Sequence, residues 1–193
     1  ALSTDGTLVP LCDTDTDGHP LATDGTRLVF TDDVDVAPDG TAWFSDASSV
    51  YGQPVWKHDI LESRPHGRLL RWHPDRPGCE VVQDGLYFAN GVAVARDGSF
   101  LLLNETSRYR VRKRWLTGPR AGQDTVLLDN LPGFPDGVAA AADGTFWIAL
   151  ASPRNPIVDG LSGQPFLRKA LLRLPDALQP APGEGPDLEA ALE

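Results

Sequence analysis

The chain has 193 residues, of which 41% are hydrophobic, enough to bury the core of one or two domains. Its formal net charge is −10, from 17 basic and 27 acidic residues. This balance argues against a general nucleic-acid or anionic-membrane partner, because phosphate binding needs clustered Lys and Arg. No apolar run approaches the ~20 residues of a membrane-spanning helix, so no membrane segment is expected in this sequence.

The first part of the chain, residues 1–31, is interpreted as the outer strand of a preceding sheet followed by an entry loop. The chain begins without Met, so we expect the natural N-terminus upstream; the compartment stays unassigned, with the cytoplasm as default. Cys12 and Cys79 lack the spacing of a metal site and are too few for a disulfide framework. Both are therefore expected to be buried or half-buried thiols.

A repeated unit dominates the rest of the sequence. Each copy has a short run rich in Val and Ala, then Asp-Gly, then an aromatic or aliphatic run. Asp-Gly between two apolar runs predicts a β-hairpin, because both residues tolerate the positive φ of a tight turn. The turn aspartates are Asp39, Asp97 and Asp143, which are 58 and 46 residues apart.

Further strands follow the hairpins, and repeats of this length with four strands are typical of β-propeller blades. A β-sandwich also uses short strands, but the repeated hairpin favours a propeller. Only residues 54–63 predict a turn or two of helix, over one face. The predicted outer strands are 67–74, 79–88, 109–118, 124–131 and 170–175. The predicted domains are blades at 32–89, 90–135 and 136–178, the last incomplete, and a flexible tail at 179–193.

An oxygen-bearing side chain stands seven residues before each turn aspartate: Asp32, Asn90 and Asp136. In a propeller the first strand of each blade lines the central channel, so equivalent positions converge on the axis. Any one of these residues alone would be interpreted as a turn cap, since Asp and Asn bond readily to nearby backbone amides. Three of them in register favour a shared site.

Such a site would bring two carboxylates together, and these repel one another unless a cation neutralises them. Carboxylate and amide oxygens suit a hard cation, which makes Ca²⁺ the first choice, with another divalent cation as the alternative. A zinc site is not expected, because the histidines show no shared register. They are His19, His58, His66 and His73.

The segments "FTDDVDVAPDGTAWFSD", "GLYFANGVAVARDGSFLLLNE" and "NLPGFPDGVAAAADGTFWIAL" resemble the strictosidine synthase-like proteins. These belong to the wider superfamily of gluconolactonases, paraoxonases and diisopropyl fluorophosphatase. The resemblance runs from about residue 30 to 150. It implies an all-β fold of the six-bladed propeller family, with about three blades present in this chain.

The resemblance also implies site residues. Asn90, in "FANGV", and Asp136, in "FPDGV", match two Ca²⁺ ligands of the hydrolytic members. Asp32 stands where those members usually carry Asn, so it departs from their pattern, and no segment matches the early blade that supplies their further Glu ligand. The synthase that names the family lacks the acid equivalent to Asp136 and uses a late-blade Glu that this chain does not reach. The retained acid favours an esterase or lactonase.

The leading hypothesis is Ca²⁺-dependent hydrolysis of small-molecule esters, such as aryl esters, or lactones in the channel. Asp136 is the candidate catalytic residue, as base, nucleophile or ligand only, and Phe88 and Phe134 are candidate substrate-binding walls, although core packing explains them equally well. Glu105 is expected in a structural salt bridge. The alternatives are a catalytically inert propeller that binds a ligand or partner and holds structural calcium, and a strictosidine synthase-like condensing enzyme. A homodimer with three blades from each chain would close the ring.

Overall fold

The structure is a computed structural model that describes residues 5–14, 17–161, 163–175 and 179. Apart from Gln179, the predicted tail lies outside these residues. The described strands form one short ribbon and three further antiparallel sheets. They are β1 (Asp13–Thr14), β2 (Pro20–Leu21), β3 (Thr31–Val36), β4 (Ala42–Asp46), β5 (Gly67–His73), β6 (Arg76–Leu86), β7 (Ala89–Val94), β8 (Phe100–Glu105), β9 (Arg110–Trp115), β10 (Asp124–Leu128), β11 (Gly133–Ala140) and β12 (Phe146–Pro153).

Helices are short and lie in the connections between strands. A 3-10 turn at Gln53–Val55 leads into α1 (Trp56–Glu62), where sequence predicted a turn or two of helix, and a second 3-10 turn spans Thr106–Arg108. Two more helices follow the last strand, α2 (Pro156–Gly160) and α3 (Pro165–Leu171). Among the described residues, no helix has both the length and the apolar character needed to cross a membrane.

Two sheets are four-stranded meanders in chain order, β3-β4-β5-β6 and β7-β8-β9-β10, and β11 pairs with β12 in a two-stranded sheet. A four-stranded antiparallel meander is the unit of a propeller blade. The predicted fold class, an all-β partial propeller, is confirmed.

The three hairpin turns have the same local chemistry. In each, the aspartate Oδ1 accepts a hydrogen bond of 2.9 Å from the backbone amide two residues later. The intervening glycine has a φ between 68° and 86°, which an L side chain rarely adopts. The repeated Asp-Gly pairs therefore form the predicted hairpins, at Asp39, Asp97 and Asp143.

The third repeat differs from prediction after its hairpin. Residues 170–175 do not form a strand; they follow Pro165 into the end of α3 and the turn after it. The sequence "PFLRKAL" explains this, because Pro fits the first helical turn and Leu, Arg, Lys and Ala are good helix formers. The outer strand expected within residues 1–31 is likewise short: before β3, the described strands are the two-residue β1 and β2.

The prediction of free thiols is wrong. Cys12 and Cys79 form a disulfide across 67 positions of sequence. The backbone around Cys79 explains the pairing, since its carbonyl oxygen accepts a 2.7 Å hydrogen bond from the Thr23 amide and Ala22 forms an isolated bridge with it. These contacts hold residues 22 and 23 against β6, the outer strand of the first blade. Asp13, which follows Cys12, pairs with Leu21, so the Cys12 thiol lies close to that of Cys79.

The blades are joined by apolar cores and by two aspartates. One core, which includes Trp43, Leu69 and Leu101, lies between the first two blades. Another surrounds Val138 between the second and third blades. On the inner edge, Asp33 and Asp35 of β3 accept hydrogen bonds from the amides of Val92 (2.9 Å) and Val94 (2.8 Å) on β7. Because these amides belong to buried residues, the carboxylates satisfy donors that would otherwise be costly to bury.

Candidate metal and substrate site

The inner strands of the three blades bring Asp32, Asn90 and Asp136 to one place. All three side chains line the same two cavities, of about 390 and 670 Å³. The residues come from successive inner strands, β3, β7 and β11. The structure therefore assembles the set that the sequence register picked out.

Asn90 and Asp136 are in direct contact. Asn90 Nδ2 donates a hydrogen bond of 2.8 Å to Asp136 Oδ1. Asn90 is buried, with 7% of its surface exposed, whereas Asp136 is half-buried. No described residue forms a hydrogen bond with Asp136 Oδ2, so this carboxylate presents one held oxygen and one available oxygen.

The backbone on either side of Asp136 is fixed by the second blade. Asn104 Nδ2 donates a 2.6 Å hydrogen bond to the carbonyl oxygen of Asp136, and the Thr106 hydroxyl donates one of 2.6 Å to the carbonyl oxygen of Pro135. Gly91 allows the close approach, since a Cβ there would lie 2.4 Å from the Asp136 carbonyl oxygen. These three residues position the carboxylate although none of them lies in its blade.

Asp32 is the electrostatically perturbed member of the set. Asp32 is an exposed residue of β3. Partial desolvation of its carboxyl group, then the charge of Asp136 and then that of Asp33, raise its pKa to about 6. The last two causes are repulsion between carboxylates, which a nearby cation would relieve. Asp32 thus belongs to the same electrostatic site as Asp136.

The smaller cavity has an aromatic wall. Phe88 and Phe134, the residues predicted to bind substrate, line it together with Phe30, Trp56 and Ile60. Phe30 and Phe88 meet edge-on with ring centroids 5.7 Å apart. Phe134 is fully buried and packs against Tyr109, so both predicted residues are core side chains whose inner surface also bounds the cavity.

Other residues of the cavity were missed by sequence reasoning. Trp56 belongs to α1, and the sequence predicts helix there without indicating a functional role. Thr106 and Ser152 line the cavity as well, and the Ser152 hydroxyl is buried without a hydrogen-bond partner among the described residues. Trp56 lies within the segment that predicts helix, and Ser152 lies at the end of β12. Neither residue occupies the repeated position that identified Asp32, Asn90 and Asp136.

The donor set fits a hard divalent cation. It offers two carboxylates and one amide, all oxygen donors, and no histidine lines either cavity. Within the described residues no group of three or more His, Cys, Asp or Glu side chains is arranged around a metal position. The candidate centre has three donor side chains at equivalent positions of these strands, and Ca²⁺ prefers about six to eight oxygens.

Glu105 has the structural role expected of it. Its side chain is fully buried; Oε1 accepts a 2.9 Å bond from the Tyr87 amide and Oε2 pairs with Arg110 at 2.6 Å and Arg112 at 3.3 Å. Two cations and a backbone donor compensate its burial. His66 also lies away from the site, at 3.0 Å from the buried Asp59 carboxylate.

Comparison with known proteins identifies the family. The family described as strictosidine synthase matches residues 32–119. Protein STRICTOSIDINE SYNTHASE-LIKE 13 of Arabidopsis thaliana is 39% identical over 158 residues, which is 81% of this chain and 39% of that protein. The adipocyte plasma membrane-associated protein of Salmo salar is 34% identical over 155 residues, 78% of this chain and 37% of that protein.

A gluconolactonase structure from Xanthomonas campestris shares the fold, with a TM-score of 0.53 at 21% identity, covering 72% of this chain and 48% of that one. The chain belongs to the superfamily of gluconolactonases, paraoxonases and strictosidine synthase-like proteins. It spans about two fifths of the length of the curated relatives described above. The matched segments include Asp32 and Asn90, at the start of the first two blades.

Proposed function

We propose that this superfamily member hydrolyses small-molecule esters or lactones at a divalent cation, with Ca²⁺ the first choice, held by Asp32, Asn90 and Asp136. The observation that carries the proposal is the meeting of these three oxygen-bearing side chains beside an aromatic cavity. When bound, such a cation supplies a Lewis acid that polarises a carbonyl and stabilises the developing oxyanion.

The protein's own contribution centres on Asp136. Asn90 holds Oδ1, while Asn104 and Thr106 hold the backbone on both sides, and Oδ2 accepts no hydrogen bond from a described residue. Acting as a base, this oxygen would accept a proton from water while the water oxygen bonds to the carbonyl carbon, and would return that proton to the leaving oxygen as the ester C–O bond breaks. Acting as a nucleophile, it would bond to that carbon itself while the ester C–O bond breaks and the leaving oxygen takes a proton from solvent, and water would later hydrolyse the resulting acyl-enzyme anhydride.

The cavity wall is suited to the apolar part of such a substrate. Phe30, Phe88 and Phe134 surround the space next to the carboxylates, and Trp56 brings a further ring from α1. An apolar enclosure with a few polar groups at one end is the usual form of a small-molecule site.

Hydrolysis of aryl acetates and lactones, with added Ca²⁺ and with EGTA, tests the proposal. Asp136→Asn should lower the wild-type rate by about 10² or more, since either chemical role requires an ionised carboxylate. Asp143→Asn is the matched control, because this aspartate lies in the same blade but bonds only within its turn. Wild type that binds Ca²⁺ and hydrolyses none of these compounds would instead favour an inert binding propeller.

A further inference from the structure

A second, cationic cavity lies on the helical side of the molecule. It has a volume of about 290 Å³ and is bounded by the end of α1, the 3-10 turn before Tyr109 and the start of α3. The lining carries one acidic side chain, Glu62, among the described residues. Four basic side chains surround it in a chain whose net charge is −10: Arg64, Arg108, Arg168 and Lys169.

Arg168 is held rigidly in this cavity. Its guanidinium donates hydrogen bonds of 2.8 and 2.9 Å to the carbonyl oxygens of Leu161 and Leu61. Carbonyl groups fix the side chain without neutralising it, and no described carboxylate forms an ion pair with it. Burial, and then the nearby charge of Arg108, lower the pKa of Arg168, and Tyr109 and Asp159 offset this only in part. Like charges are thus gathered here with little compensation.

The neighbouring basic side chains, Arg108 and Arg64, also have few acidic partners. Arg108 stacks on Tyr87, with its guanidinium carbon 3.8 Å from the ring centroid, and forms no ion pair with a described residue. Arg64 approaches Glu62 at 3.6 Å, but that carboxylate also accepts a 2.9 Å hydrogen bond from the Tyr51 hydroxyl. In this first cavity Glu62 is therefore the one acidic side chain among the described lining residues, and it faces four basic side chains.

An adjoining cavity of about 200 Å³ provides an independent observation. It shares Ser63, Arg108 and Arg168 with the first cavity and is also lined by Ser107. Arg154 and Asp159 line it too, and these two side chains pair with each other at 2.9 Å. The Ser107 Oγ atom is buried without a hydrogen-bond partner among the described residues. A buried hydroxyl without a partner is costly unless a ligand or water completes it. Beside two arginines, an anion oxygen would do so.

We propose that these two cavities form a binding site for the phosphate group of a small, soluble phosphate ester. A dianion neutralises more of the excess positive charge than a monoanionic carboxylate, and guanidinium groups match phosphate oxygens in a bidentate geometry. None of Asp32, Asn90 and Asp136 lines either cavity, although Ile60 and Phe134 form part of the wall of both the smaller one and the aromatic cavity.

Calorimetric titration with inorganic phosphate and with glycerol 3-phosphate tests the site. EGTA is present throughout, so that binding does not depend on a cation at the other centre. Wild type should bind both anions saturably. The double variant Arg108→Gln/Lys169→Gln should bind at least about tenfold more weakly, because each substitution removes a charge-assisted contact. Arg168 is left intact, since it caps carbonyl groups of the fold.

Arg120→Gln is the matched control. Like Arg108, Arg120 is exposed and stacks on an aromatic ring, here Trp115, with its guanidinium carbon 3.9 Å from the ring centroid. This variant and Asp136→Asn should bind phosphate as wild type does. Equal losses in Arg120→Gln and in the double variant would overturn the site, and so would wild type that binds neither anion. Binding only to phosphatidylcholine vesicles that contain phosphatidic acid would overturn the small-ester assignment. Circular dichroism checks that each variant is folded.

Discussion

Asn90 and Asp136 are 46 residues apart in sequence, and the Asn90 side chain donates a 2.8 Å hydrogen bond to the Asp136 carboxylate. Both residues occupy the same position of the repeated unit, seven residues before the Asp-Gly turn. The contact therefore joins the starts of the inner strands in adjacent blades. Its geometry depends on how closely those strands approach.

Gly91 sets that approach, so Gly91→Ala should disturb the candidate site. A Cβ at this position would lie 2.4 Å from the Asp136 carbonyl oxygen and 2.5 Å from the Val138 amide nitrogen. We expect a loss of about 1–3 kcal/mol in the free energy of unfolding, measured with urea, together with weaker Ca²⁺ binding. Gly137 occupies the same register position of the next blade, and a Cβ added there would meet no atom within 4 Å. Gly137→Ala should therefore leave both nearly unchanged.

The disulfide should contribute strongly to stability. Cys12 and Cys79 close a long loop, 67 positions apart, and chain entropy alone gives such a link about 4 kcal/mol. Cys12→Ala/Cys79→Ala should therefore unfold at a lower urea concentration. Dithiothreitol should lower the stability of wild type toward that of the double variant and leave the variant itself unaffected; a wild type insensitive to reductant would contradict the contribution.

The carboxylates that connect β3 to β7 should also matter. Asp35→Ala leaves the buried Val94 amide without its 2.8 Å acceptor, and an unsatisfied buried donor costs about 1–3 kcal/mol. Asp84→Ala, at an exposed position of β6, controls for the loss of a charge. Urea unfolding that gives equal values for both variants would show that the inter-blade bond contributes nothing.

Asp59 should make stability depend on pH. Burial raises its pKa, and its contact with His66 offsets this only in part. The folded state then holds the proton more tightly than the unfolded chain. The stabilisation is complete below the unfolded pKa of about 4 and is lost as pH rises through the folded pKa. Asp59→Asn should therefore gain stability relative to wild type as pH rises from about 4 to 7, in urea titrations at fixed salt.

The assembly proposal rests on exposed apolar residues at the two ends of the blade row. Val34 and Val36 on β3 are each 59% exposed, and Trp147 on β12 is 70% exposed. We propose that a second copy covers them by completing the ring, since open sheet edges and apolar faces favour pairing. Light scattering should give twice the chain mass at micromolar concentration, and Trp147→Glu should shift it to one chain. A wild-type monomer over that range would refute closure by a second copy.

The sequence predicted the features that arise from local chemistry repeated at a period. Asp-Gly pairs form hairpins wherever they separate apolar runs, and the same count from each turn identified Asp32, Asn90 and Asp136. The disulfide escaped prediction because pairing of Cys12 with Cys79 depends on tertiary contacts. A strand was expected at 170–175 because the first two repeats continue with outer strands after their hairpins. The helix-forming residues after Pro165 form α3 and a turn there instead.

The aromatic cavity beside Asp32, Asn90 and Asp136 was only partly predictable, because tertiary contacts bring some of its residues together. Phe88 and Phe134 adjoin the candidate ligands in sequence, whereas Trp56 reaches the cavity from a helix in the loop between β4 and β5. The positioning roles of Asn104 and Thr106 depend on contacts between blades. Such contacts are visible only once the inner strands have been placed side by side.

Calorimetric titration with Ca²⁺ is the most direct test of the proposed centre. Wild type should show a saturable Ca²⁺ site, Asp136→Asn should lose it or weaken it at least about tenfold, and Asp143→Asn should retain it. The same titration with Mg²⁺ measures selectivity. Wild type that binds no divalent cation, or Asp136→Asn that binds Ca²⁺ as tightly as wild type, would contradict a cation site at Asp32, Asn90 and Asp136.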